Sequence, residues 1–168
     1  MESLRAILTT KNNRGSRCAE DVENLLKIRD PSATAFEIKK NVVAVFSKLE
    51  SNAVFSLLLT YPPTYIIKVF PAHVVCDLNK EQIVDIAESI ILSKRIRSFF
   101  VNCQNRGSPY NCREIEISIG IRMQGKVTVE FKDPDAILHI NLVNNYAVLS
   151  LLPRDREKVS AYPTKPHI

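Results

Sequence analysis

The hydrophobic period switches repeatedly between Leu4 and Phe70, and a breaker marks most switches. Residues 4–9 (LRAILT) are apolar and end in β-branched threonine, which predicts a strand. The polar stretch KNNRG follows. Ser16 is placed to cap a helix from Arg17 to about Ile28, because Cys18, Val22, Leu25 and Leu26 recur on one helical face. Pro31 prevents its continuation. Residues 33–39 and 42–47 predict two strands around a tight turn at Lys40-Asn41. Ser51 is placed to cap a second helix, NAVFSLLLTY, which Pro62-Pro63 ends. Residues 64–70 (TYIIKVF) predict a further strand. The resulting order is β-α-β-β-α-β.

That order is the ferredoxin-like arrangement, and it takes up residues 1–75. The remainder reads as a second α/β unit over residues 76–153. Asn79 with Gln82 forms a capping box flanked by Leu78 and Ile83. Ile83, Ile86, Ala87, Ile90 and Ile91 recur at helical spacing to about Arg95. Residues 98–103 (SFFVNC) predict a strand, and QNRGSPYN a loop. The stretch REIEISIGIRM fits two periods. Ile115, Ile117, Ile119 and Ile121 alternate like a strand, whereas Ile115, Ile119 and Met123 fit a helix. Asn111 with Glu114 as a capping box, and Gly125 as a stop, favour the helix. Residues 127–131 predict a strand and Asp133-Pro134-Asp135 a turn. Residues 137–143 and 146–152 flank Asn144-Asn145, a hairpin signal because asparagine tolerates positive φ. Residues 154–168 are polar with no apolar periodicity and predict a flexible C-terminal tail.

Charge narrows the function. The chain carries 23 Lys+Arg against 18 Asp+Glu, a formal net charge of +5. Between Ser89 and Arg113 lie Lys94, Arg95, Arg97, Arg106 and Arg113 with no acid among them. Such a stretch can bind phosphates locally whatever the net charge, since counterion release depends on the phosphates contacted. The four glycines, Gly15, Gly107, Gly120 and Gly125, cannot assemble a G-x-G-x-x-G or a P-loop. No G-x-S-x-G elbow exists. Cys18, Cys76, Cys103 and Cys112 form no C-x-x-C pair, and the three histidines lie far apart, so no zinc site is expected. Free buried thiols in a reducing compartment are the plain reading, with a Cys103–Cys112 disulfide as the alternative. No cofactor, no metal and no catalytic residue are expected. No signal peptide is legible in MESLRAILTT, and the apolar runs fall short of the roughly 20 residues that cross a bilayer. The expected location is cytoplasmic.

The loop Arg106-Gly107-Ser108-Pro109-Tyr110-Asn111-Cys112-Arg113-Glu114 is the positive feature. It joins a strand to the N-terminus of the expected helix, where backbone amides attract phosphate. Gly107 allows close backbone approach, and Arg106 and Arg113 carry planar forks that match phosphate oxygens. An ordinary surface loop with two solvated arginines fits the same residues.

This loop, followed by Lys126-Val127-Thr128-Val129-Glu130-Phe131-Lys132-Asp133-Pro134-Asp135 and then ILHINL, resembles a THUMP domain. That pattern has an R-G-x-x-x-x-x-R-E-like loop and helix, then a V-D-L-x-N-P-D-like strand and turn. Here Glu130 stands for the usual Asp, Phe131 for Leu and Asp133 for Asn, and Cys112 sits where serine is common. The ferredoxin-like first half also fits, since THUMP domains usually follow one. The whole chain is similar to stand-alone THUMP proteins of the tRNA cytidine-acetylation adaptor type. The resemblance implies an RNA-binding, tRNA-binding protein of tRNA modification and tRNA processing. It would grip tRNA, often at the acceptor end, and present it to a separate acetyltransferase while doing no chemistry itself. The expected contacts are Arg106, Gly107, Ser108 and Arg113 by motif. Lys94, Arg95, Arg97, Lys126 and Lys132 follow by charge and proximity. Lys11, Arg14 and Arg17, at the start of the first helix, form a second candidate phosphate site. An interaction module without RNA, and an enzyme using Cys103 or Cys112, are the competing classes.

Overall fold

The computed structural model describes residues 3–162. They divide into two compact units, one drawn from the described parts of Met1–Pro71 and Asp155–Ile168, the other from Ala72–Arg154.

The first unit contains β1 (Ser3–Thr10), α1 (Gly15–Leu26), β2 (Thr34–Lys39), β3 (Val42–Ser47), α2 (Ser51–Thr60) and β4 (Ile66–Pro71). Its sheet has the order β2-β3-β1-β4, and every neighbouring pair is antiparallel. The core is formed by Ala6 and Leu8 of β1, Cys18, Val22 and Leu26 of α1, Val43 and Val45 of β3, Val54 and Leu58 of α2, and Val69 of β4. Asn41 takes φ 64° at the β2–β3 turn, as a short polar side chain allows. Two details differ from expectation. Helix α1 starts one residue before Ser16, and its N-cap position is Arg14, with no side-chain cap. The second helix begins at Ser51, so the cap position falls on Glu50.

The described part of the stretch expected as a flexible tail, residues 154–162, makes backbone contacts with the first unit. The backbone N–H of Val69 donates to the Glu157 carbonyl at 2.8 Å, and Lys68 bridges Lys158 in antiparallel register. A single 3-10 turn, Val159–Ala161, follows, and Val159 packs on the first core. The cause is the edge of β4, whose backbone groups need partners. Residues 163–168 of the expected tail lie outside the described residues.

The second unit contains β5 (Val74–Asp77), α3 (Lys80–Ser93), β6 (Ser98–Arg106), α4 (Cys112–Arg122), β7 (Thr128–Val129), β8 (Ala136–Val143) and β9 (Tyr146–Leu152). The sheet order is β5-β9-β8-β6-β7. Strand β6 runs parallel to β7 and β8, whereas β8–β9 and β5–β9 are antiparallel. One sheet face packs on both helices through Ile83, Ala87 and Ile91 of α3, Ile115 and Ile119 of α4, and Met123 just after α4. The helical period thus wins over REIEISIGIRM: Ile115 and Ile119 are fully buried, while Ile117 and Ile121 are exposed. The Asn79 side chain caps α3 by accepting from the Gln82 N–H at 3.0 Å. Three strand expectations change. Strand β5 was not foreseen. The strand expected over residues 127–131 shrinks to two paired residues. Strand β6 runs three residues past Cys103, so Arg106 ends a strand instead of standing in a loop. No described helix is long and apolar enough to cross a membrane.

Candidate nucleic-acid interface

Residues 107–111 form the turn between β6 and α4, and a single side chain organises it. Asn105 accepts from the Gly107 N–H at 3.1 Å and the Ser108 N–H at 2.7 Å. Its amide nitrogen donates to the carbonyls of Ser108 at 2.8 Å and Tyr110 at 3.0 Å. The Ser108 hydroxyl oxygen accepts from the Tyr110 N–H at 3.0 Å. Gly107 adopts φ 106°, which a side chain would resist. The Asn111 side chain then accepts from the Arg113 N–H at 2.9 Å and starts α4. A disulfide between Cys103 and Cys112, with Cα atoms 5.4 Å apart, closes the base of the turn. The alternative of a Cys103–Cys112 disulfide is therefore the one observed, and the plain reading of free buried thiols holds for Cys18 and Cys76.

Arg106 and Arg113 do not share a wall. Side chains alternate across a strand. Phe99 and Cys103 of β6 belong to the core under the helices, as do Ile140 and Leu142 of β8. Arg106 therefore points to the opposite face, where its Nε–H donates to the Asn141 side-chain oxygen at 3.1 Å. It is half-buried, and desolvation lowers its pKa, although a guanidinium stays charged at neutral pH. Arg113 stands on α4, on the helix side. It rims a groove of about 210 Å³ lined with Phe99, Val101, Ile117, Val129 and Phe131. Phe131 is 73% exposed, and its ring lies 5.7 Å from that of Phe100. Neither arginine makes an ion pair among the described residues.

The remaining cations separate into other places. Lys94 and Arg95 follow the end of α3, Arg97 precedes β6, and Lys132 lies between β7 and β8, all exposed. The Arg97 N–H donates to Asp135 at 2.7 Å, and that of Lys132 to Glu130 at 2.9 Å. These cations gather at the start of β6, whereas Arg106 ends it. Eight strand steps at about 3.3 Å put the two ends roughly 26 Å apart. One continuous patch is therefore replaced by two, because the run of five cations spans the whole length of a strand. Lys126 is bound to Glu88 at 2.7 Å on the outer face of the helices, where Arg122 also pairs with Asp85.

In the first unit, Arg14 stacks over Tyr65 at 5.2 Å and Arg17 pairs with Asp21 at 3.4 Å. Lys11 is exposed, with its N–H on the Tyr65 carbonyl at 2.9 Å. The Glu37 carboxylate sits in the space a Gly15 side chain would take. An acid thus already occupies the start of α1, which weakens this N-terminus as a phosphate site. Among the described residues no cluster of His, Cys, Asp and Glu could hold a metal.

Asn105 and Asn141 were missed at the sequence level. The signal for Asn105 was present, since asparagine ahead of a glycine turn commonly bonds backbone amides two or three residues on. Nothing local marks Asn141, which reaches Arg106 from a neighbouring strand.

No family model matches the chain, and no curated protein does. Solved structures do. PH1313 from Pyrococcus horikoshii Ot3 is 16% identical with a TM-score of 0.66, covering 90% of this chain and 55% of its own. TrmN from Thermus thermophilus is 16% identical with a TM-score of 0.59, covering 90% and 47%. A 4-thiouridine synthetase in complex with RNA and bound ATP is 13% identical with a TM-score of 0.59, covering 90% and 42%. The chain thus spans about half the length of the structures it matches. Further matches are described as "a predicted N6-adenine-specific DNA methylase" from Listeria monocytogenes and as SMU.472, "a putative methyltransferase complexed with SAH". These matches overturn the expectation that the chain belongs to a protein without catalysis. The fold recurs in much longer proteins described as enzymes. At such identities the likeness establishes the fold, a THUMP-like α+β arrangement.

Proposed function

We propose that this chain binds tRNA through the β6–α4 turn of its second unit and presents a nucleotide to the catalytic centre of a tRNA-modifying enzyme. The observation that carries the reading is the state of Arg106. It is a half-buried guanidinium at a strand end that donates to a neutral amide and makes no ion pair among the described residues. A partly buried charge without a counter-ion is costly, and a phosphate would supply one. Gly107 and Ser108 offer close backbone approach beside it, and Arg113 a second fork beyond the turn. A backbone passing over this end of the sheet would meet both arginines from opposite sides. Lys94, Arg95, Arg97 and Lys132 form a second contact zone at the far end of β6. The first unit, with its βαββαβ order and antiparallel β2-β3-β1-β4 sheet, supports the ferredoxin-like reading of residues 1–75.

Two chemistries compete at the catalytic centre. The sequence resemblance favours cytidine acetylation by a separate acetyltransferase in the cytoplasm. The matches described as methylases and methyltransferases favour methyl transfer. Incubating tRNA and the natural protein complex with labelled acetyl-CoA or labelled S-adenosylmethionine separates them.

The binding claim is tested by replacing Arg106 and Arg113 with Ala together. Losing two phosphate contacts should lower the slope of log affinity against log salt by about 1.5. Affinity unchanged at about 0.15 M salt would remove this turn from the interface.

A further inference from the structure

The Cys103–Cys112 bond lies across the base of the turn that carries the proposed RNA contacts. Cys103 sits in β6 beneath the helices and is 7% exposed, whereas Cys112 is the first residue of α4 and half-buried. Between them run Asn105, Arg106, Gly107 and Ser108. The bond therefore fixes the distance between strand end and helix start, the two supports of the turn. The other two cysteines lie elsewhere. Burial pushes the thiol of Cys18 up to about 12 and that of Cys76 to about 11, so neither offers a thiolate at neutral pH.

We propose that Cys103 and Cys112 are a reversible redox-modification site, which takes a dithiol reductant and sets the RNA affinity of the β6–α4 turn. This inference rests on the reading of that turn as the RNA contact. Cys112 is the less buried of the two residues, so the step starts at its sulfur. A thiolate of the reductant attacks it, the Cys103–Cys112 bond breaks, and Cys103 leaves as a thiolate that takes up a proton. The second thiol of the reductant, deprotonated, attacks the reductant sulfur of the mixed disulfide, and Cys112 leaves as a thiolate. Two electrons pass to the protein, and the dithiol becomes a disulfide. The departing Cys112 thiolate lies at the N-terminus of an 11-residue helix and next to Arg113, a setting that stabilises the anion. Once the bond is open, only hydrogen bonds from the side chains of Asn105, Ser108 and Asn111 hold the turn. The bound conformation is then one of several, and apparent affinity falls with its population.

The test uses unfractionated tRNA as probe, with the whole chain in oxidised and dithiothreitol-reduced forms. Thiol titration under denaturing conditions establishes each state: two thiols when oxidised and four when reduced. Reduction is expected to weaken binding about tenfold, and reoxidation by glutathione disulfide to restore it. The Cys103→Ser/Cys112→Ser variant is expected to bind at the weak level under both conditions. Amide exchange at Gly107 and Ser108, measured without RNA, should quicken on reduction. Equal affinity of the two forms, with thiol counts confirming the conversion, overturns this inference and leaves the RNA reading standing. Failure of both forms to bind tRNA overturns the RNA reading and this inference with it.

Discussion

Replacing Asn105 with alanine should loosen the turn and little else. The side chain makes four hydrogen bonds, two accepted from Gly107 and Ser108 and two donated to the carbonyls of Ser108 and Tyr110. All four are at an exposed site, so the stranded groups find water. The low end of the net value, about 0.5 kcal/mol each, applies, and the total is about 2 kcal/mol. For a domain of this size that lowers the unfolding midpoint of the second unit by about 8–16 °C. Thermal unfolding by circular dichroism reads the midpoint. Hydrogen exchange reads the place, because the amides of Gly107 and Ser108 lose their acceptor and should exchange faster than in the parent protein, while those of β6 stay slow. Asn105→Asp sharpens the test. It keeps the two accepted bonds but sets a carboxylate against two carbonyl oxygens, so it should be at least as damaging as alanine. A variant with unchanged midpoint and unchanged exchange at both amides refutes the claim that Asn105 organises the turn.

Two further outcomes concern the cores. Asp30 accepts from the Ser32 hydroxyl, the Lys48 N–H and the Ser47 hydroxyl, bonds that hold its carboxyl well below the ordinary carboxylate range. A depressed pKa contributes stability above the unfolded value that is lost as pH falls through the folded one. The first unit should weaken as pH drops below about 4, and Asp30→Asn should remove that part of the acid response; identical acid limbs in urea melts would contradict this. Ile119→Ala, at a fully buried position under the second sheet, should cost about 2–5 kcal/mol in urea unfolding, and a cost under 1 would mean the helix face is misassigned.

Period and punctuation made most of the fold legible. The apolar run over residues 42–47 became β3, and the Asn144-Asn145 signal became the β8–β9 hairpin with Asn144 at φ 26°. What stayed hidden depended on contacts distant in sequence. Strand β5 is four residues long and exists because β9 offers it an edge. The pairing of residues 155–162 with the first unit had no apolar pattern to announce it beyond Val159. At the candidate site, residue types were legible but directions were not. Extending β6 to Arg106 assigns that arginine to the face opposite Arg113, and a one-residue change of parity would have reversed it. Asn141 could not be seen at all, since its tie to Arg106 crosses 35 residues of chain.

The partner of the β4 edge arrives late in synthesis. Val69 emerges from the ribosome long before Glu157, and the whole of Ala72–Arg154 must be translated between them. During that interval a nascent β-strand keeps an open margin of donors and acceptors while a second core assembles downstream. A stop codon near position 153 would make that interval permanent. The product would retain every helix and strand of both sheets yet display an unprotected seam, the kind that recruits other chains into insoluble stacks.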